Sequence, residues 1–134
     1  MLHPLDDKTL VSGQITPDQM AGIKAAGVTM IVNNRPDGED ADQPLAADIE
    51  AAADKAGIAY RAVPITRGIG PADVAAMQAA MDDADGKVLA FCRSGTRSAL
   101  AWALARREQG ASVDEIEEAV AGAGVSLDPI RHLL

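Results

Sequence analysis

Aromatic side chains are almost missing: the chain holds one Trp, one Tyr and one Phe, 2% of its residues. Basic residues are also outnumbered, 12 Lys and Arg against 20 Asp and Glu, for a formal net charge of −8. Without stacking rings or surplus positive charge the chain lacks what holds a nucleic-acid backbone and its bases, so no nucleic-acid partner is expected. One cysteine rules out an internal disulfide. Two histidines, His3 and His132 near opposite ends, make no zinc cluster without a Cys pair, so neither metal nor cofactor is expected. No apolar run approaches membrane-spanning length, and Met1 to Asp7 lacks the basic start and apolar core of a signal peptide. These absences predict a protein of the reducing cytoplasm with no membrane partner.

What is present is ample apolar material, 48% of 134 residues, enough for a single domain spanning 1–134 with a core of its own. Thr9 to Ser12 is a short strand candidate after a mostly irregular arm. Thr16-Pro17-Asp18-Gln19 combines an N-cap, a proline at the first helical position and a Gln three residues after the cap, which predicts a helix from Pro17 to Ala26 stopped by Gly27. Val28, Met30, Ile31 and Val32 form a continuous apolar run that suits a strand covered on both faces, ending at Asn33-Asn34-Arg35. A polar loop with a Pro36-Asp37-Gly38 turn follows.

Leu45, Ile49, Ala52, Ala53 and Ala56 recur at helical spacing, and the pattern predicts a helix from Pro44 to Ala56 with Gly57 as its stop. Ile58 to Ile65 reads as a strand. Pro71 opens a helix whose Val74, Met77, Ala80 and Met81 share a face, and Asp82 to Gly86 turns the chain into the strand Lys87 to Phe91. Another helix runs to about Glu108, and Ser112-Val113-Asp114-Glu115 starts one to about Ala121. Alternating strands and helices with long connections predict an α/β fold, a mainly parallel sheet of about four strands with helices on both faces.

The residues that carry chemistry gather in Cys92-Arg93-Ser94-Gly95-Thr96-Arg97-Ser98, between the last strand and its helix. A thiol there meets loop amides and the positive end of a helix, an arrangement that binds anions and lowers a thiol's pKa. Cys92 is then a nucleophile and Gly95 the bend. Ser94, Thr96 and Ser98 supply hydroxyls, Arg97 a planar cationic fork, and Arg93 a second cation or a solvated one. A buried core cysteine closing a strand fits the same position. Arg35 and Arg67 also follow strand ends, where open α/β sheets bind ligands, and are expected to guide an anionic substrate.

The loop Cys92 to Arg97 resembles the active loop of single-domain rhodaneses, sulfurtransferases that carry sulfur as a cysteine persulfide. Ser12-Gly13-Gln14, Ala26-Gly27-Val28, Asn34 to Glu39, Pro64-Ile65-Thr66 and Phe91 to Ser98 together resemble the phosphatase-like domain of bacterial beta-lactamase hydrolase-like proteins, over roughly residues 5 to 110. That resemblance implies the fold of tyrosine and dual-specificity phosphatases, and a persulfide dioxygenase as a partner, since family members occur fused to one. Phosphatases of this fold place their arginine six residues after the cysteine, where this chain has Ser98; the arginine falls one earlier, at Arg97. They also need an acid to protonate the departing oxygen, and Pro64 to Gly68 contains none. Asp37 and Asp73 are the substitute candidates.

The expectation is therefore a cysteine-dependent sulfurtransferase. It takes sulfane sulfur from thiosulfate or a persulfide, both small anionic donors, and passes it through a Cys92 persulfide to a thiol acceptor. A cysteine phosphatase of the dual-specificity type and a non-catalytic anion-binding module are the alternatives.

Overall fold

The computed structural model describes all residues, 1–134, and contains one five-stranded sheet in the order β1-β2-β5-β3-β4. The strands are β1 (His3–Pro4), β2 (Thr9–Ser12), β3 (Val28–Asn33), β4 (Ala59–Ala62) and β5 (Lys87–Phe91). The helices are α1 (Met20–Ala25), α2 (Ala46–Lys55), α3 (Pro71–Asp83), α4 (Thr96–Glu108) and α5 (Val113–Gly122). Short 3-10 helices at Pro17–Gln19 and Asp128–Leu133 complete the chain. No helix is long and apolar enough to cross a membrane.

β5 lies at the centre, paired in parallel with β2 on one side and β3 on the other, so its residues Val88 to Phe91 are fully buried. Alternation along it splits the core in two. Val88 and Ala90 face a large cluster built with Met77 and Met81 of α3, Leu100 and Trp102 of α4, and Ile116 and Val120 of α5. Leu89 and Phe91 face a smaller one with Ile23 of α1 and Ile49 and Ala53 of α2. The register of β3 against β5 slips between Val28 and Met30, so Val28 and Ile31 share the second face although three residues apart. α4 is buried at every position from Ser98 to Ala105, and its alternate alanines allow close approach of both neighbours.

The expected mainly parallel sheet of about four strands with helices on both faces is present as β2, β5, β3 and β4, and a short fifth strand joins it at one edge. β1 is antiparallel, pairing His3 with Val11 and Pro4 with Leu10. It lies in the stretch read as an arm, because a two-residue strand containing proline carries no alternation to read. The helix expected over Pro17 to Ala26 divides into a 3-10 turn and α1. The strand expected over Ile58 to Ile65 keeps regular geometry only at Ala59–Ala62. Val63 and Ile65 still donate to the carbonyls of Asn33 and Asn34 at 2.9 and 3.0 Å, so the β3 pairing runs on into the site.

Candidate active site

β5 delivers Cys92 to the carboxyl edge of the sheet between the ends of two neighbours. The Cys92 amide donates to the Ser12 carbonyl at 3.4 Å, and the Asn34 amide donates to the Phe91 carbonyl at 2.8 Å. The chain then turns back over the sulfur: Gly95 takes φ +94°, which costs a residue with a Cβ about 1–2 kcal/mol, and α4 starts at Thr96. The Gly95 amide points at Cys92 Sγ from 3.1 Å. Ser12-Gly13-Gln14 supports the loop from beside it. A Cβ on Gly13 would lie 2.9 Å from the Arg93 carbonyl oxygen, and the Gln14 amide donates to that same oxygen at 3.3 Å.

Cys92 is fully buried. Burial pushes its thiol up, but the amides of Ser98, Ser94 and Gly95 and the Ser98 hydroxyl together pull harder, and the net is a thiol below its ordinary 9.0. Ser98 is buried with Asn34: its hydroxyl donates to Asn34 Oδ1 at 2.8 Å, while Asn34 Nδ2 donates to the Val63 carbonyl at 3.0 Å and fixes that amide's orientation. The one hydroxyl proton therefore serves either Asn34 or the thiolate.

Arg97 is held by a carboxylate the sequence did not mark as a site residue. Its Nη1 and Nη2 donate to Glu39 Oε2 and Oε1 at 2.7 and 2.8 Å, a two-pronged pair, and Nη1 also meets the Ile65 carbonyl at 2.8 Å. Glu39 in turn accepts from Arg35 Nε at 2.9 Å. Arg35 is buried and spends its remaining donors on Gln14 Oε1 at 3.0 Å and Asp40 Oδ2 at 2.8 Å. The Arg97 hydrogen bonds, opposed by burial and reinforced by Arg35, hold the Glu39 carboxyl at about 2. Glu39 and then the Cys92 sulfur raise Arg97, which stays fully protonated.

This thiol at the end of the central strand lies within a region that known proteins share. Residues 2–109 match the family model of the beta-lactamase hydrolase-like protein, phosphatase-like domain. The chain belongs to this family. A beta-lactamase hydrolase-like protein from Xylella fastidiosa is 37% identical over 115 residues, which cover 84% of this chain but 27% of that protein. The chain thus spans about a quarter of the length of the curated relatives it matches. A crystal structure of nma1982 from Neisseria meningitidis, described provisionally as a phosphatase, superposes with a TM-score of 0.85 at 35% identity, covering 98% of this chain and 94% of that one. Tk-PTP in its active form gives 0.65 at 17% identity, covering 90% of this chain and 80% of that one. The fold is that of the tyrosine and dual-specificity phosphatases, and both the matching family model and the Neisseria relative carry phosphatase descriptions.

Within this family member, the geometry brings Cys92, Ser94, Gly95, Arg97, Ser98 and Arg35 together at one edge. Arg93 is exposed and reaches Asp40 Oδ2 at 3.3 Å. The Thr96 hydroxyl accepts from that of Ser94 at 3.3 Å on the outside of the loop. Arg67 is exposed in the β4–α3 loop. The two candidate acids are engaged elsewhere: Asp37 Oδ1 accepts from the Ala46 amide at 2.8 Å at the start of α2, and Asp73 Oδ2 from the Gly70 amide at 2.9 Å at the start of α3. Glu39 and Gln14 were the residues missed. Both lie in the motifs that carry the resemblance, and an acidic residue on the loop after Arg35 was the available signal.

Proposed function

We propose that the domain is a cysteine-dependent sulfurtransferase of the reducing cytoplasm. The Cys92 thiolate attacks the outer sulfur of thiosulfate, and sulfite leaves with the electron pair of the broken S–S bond. The new Cys92 persulfide rests in the amides of Ser94, Gly95 and Ser98 beside Arg97, and exposed Arg67 guides the anionic donor, whereas Arg35, expected to do the same, is buried and bound to Glu39 and Asp40. A thiolate acceptor then takes the terminal sulfur and returns Cys92 to its thiolate. The partner we propose is a persulfide dioxygenase that consumes the product, as the family resemblance implies; the curated relatives, about four times longer, have room for such a further domain.

The observation that carries this reading is the state of the carboxylates. Asp37 and Asp73 are bound to helix-start amides, and Glu39, at about 2 and paired with two arginines, has no proton to give. An alkoxide leaving a phosphate ester needs that proton; sulfite does not.

A second reading, phosphate ester hydrolysis, has the comparisons on its side, since the fold and the crystallised Neisseria relative point to phosphatases. Two assays on the same preparation separate them. Sulfur transfer predicts Cys92-dependent thiocyanate from thiosulfate and cyanide with negligible release from an aryl phosphate. Cys92-dependent phosphate release without thiocyanate overturns it.

A further inference from the structure

Asn34, the residue after β3, is fully buried, and each of its polar groups has a partner. Its amide donates to the Phe91 carbonyl at 2.8 Å and its carbonyl accepts from the Ile65 amide at 3.0 Å, so its backbone is pinned to the residue before Cys92 and to the chain after β4. Its side-chain nitrogen donates to the Val63 carbonyl at 3.0 Å, and its Oδ1 accepts from the Ser98 hydroxyl at 2.8 Å. Reversing that amide would set its oxygen against the Val63 carbonyl, acceptor against acceptor, so the side chain has one orientation. Ser98 and Cys92 are fully buried too, and the Ser98 hydroxyl is also one of the donors to the Cys92 sulfur. One hydroxyl proton therefore has two takers, Asn34 Oδ1 and Sγ, both shielded from bulk water.

We propose that Asn34 is a positioning residue for the Cys92 chemistry: its fixed Oδ1 takes the Ser98 hydroxyl when Sγ carries no charge and releases it to Sγ when the thiolate forms. The proton never leaves Ser98 Oγ; only its hydrogen bond swings. Sulfur transfer moves the charge in a way the swing can follow. When the Cys92 thiolate bonds to the outer sulfur of thiosulfate, sulfite departs with the electron pair of the broken S–S bond, and the negative charge passes from Sγ to the terminal sulfur. The hydroxyl then returns to Asn34. Attack by an acceptor thiolate on that sulfur sends an electron pair back to Sγ, and the hydroxyl follows it. The charged groups around Cys92 are Arg97 of α4, Arg93 of the cysteine loop, and Arg35, Glu39 and Asp40 after β3. The Asn34 side chain bonds none of them, meeting only Val63, Met77 and Ser98, so replacing it leaves every charge in place.

The test is the pH profile of Cys92 alkylation by iodoacetamide on the full chain, in a double-mutant cycle of Asn34→Ala and Ser98→Ala. With its rival acceptor gone the Ser98 hydroxyl serves the thiolate alone, so Asn34→Ala is expected to lower the inflection by about half a pH unit. In the Ser98→Ala background the same substitution is expected to move it by less than about 0.2 unit, because Asn34 acts through Ser98. A less basic Cys92 is a weaker nucleophile and a better leaving group. At a pH above the inflection, Asn34→Ala is therefore expected to slow loading from thiosulfate about twofold and to speed discharge to a thiol about twofold, whereas a loosened structure would slow both. In the wild type the Asn34 side-chain amide resonance is expected to shift with the midpoint of alkylation, a readout that stands even where Asn34→Ala does not fold. An unmoved inflection, or an equal shift in both backgrounds, overturns the role of Asn34, as does an amide resonance that ignores the Cys92 midpoint. The two sulfur steps rest on the sulfur-transfer reading and the hydroxyl geometry does not. Failure of Cys92 to load sulfur thus overturns that reading, and the alkylation cycle still decides Asn34.

Discussion

At the residue scale the site is a thiol lowered by dipoles and a cation fixed by a carboxylate. Cys92 titrates below its ordinary 9.0, so its alkylation by iodoacetamide should show an inflection below that pH. Ser98→Ala should move the inflection up, because one hydroxyl contribution to the thiolate is lost. It should also cost about 1–3 kcal/mol of stability by leaving buried Asn34 Oδ1 without its donor, read by urea denaturation.

Glu39 makes a separate, pH-dependent contribution. Its pKa falls from 4.5 to about 2 on folding, so the stabilisation is complete above the unfolded value and lost as pH drops from 4.5 towards 2. Unfolding measured across that window should weaken more steeply for the wild type than for Glu39→Gln. At neutral pH, Glu39→Gln should lower kcat/KM about tenfold through a looser Arg97, with Glu39→Asp recovering part of the loss.

At the element scale the cysteine loop depends on the end of β2 as much as on its own residues. Gly13→Ala places a Cβ 2.9 Å from the Arg93 carbonyl oxygen, a backbone atom of the loop itself, so the loop must shift to admit it. That overpacking should cost about 1–3 kcal/mol in thermal unfolding and reduce activity by more than the stability loss explains. The end of β2 was legible only as a short strand, while β3, β5 and α4 could be read from their apolar runs and their stops. β1 could not, because pairing rather than pattern makes it a strand. Asp37 and Asp73 show the converse: as sequence, a turn or cap aspartate and a catalytic acid look alike, and only the amides of Ala46 and Gly70 tell them apart.

At the scale of the whole molecule, a parallel sheet sends Arg35, Cys92 and the loops around them to one edge, the edge at which open α/β sheets bind ligands. The cysteine loop was legible as a contiguous motif. Its clamp was not, since Glu39 and Arg97 are 58 residues apart and meet only when β3 and β5 pair. The same topology leaves Asp37, Glu39, Asp40 and Asp73 engaged, and the proposed sulfur transfer rests on that arrangement. The most direct test is the intact mass of the chain after incubation with thiosulfate and removal of excess donor. The account predicts a gain of one sulfur atom in the wild type, reversed by a thiol and absent in Cys92→Ser; an unchanged mass, with an aryl phosphate hydrolysed by the same sample, would contradict it.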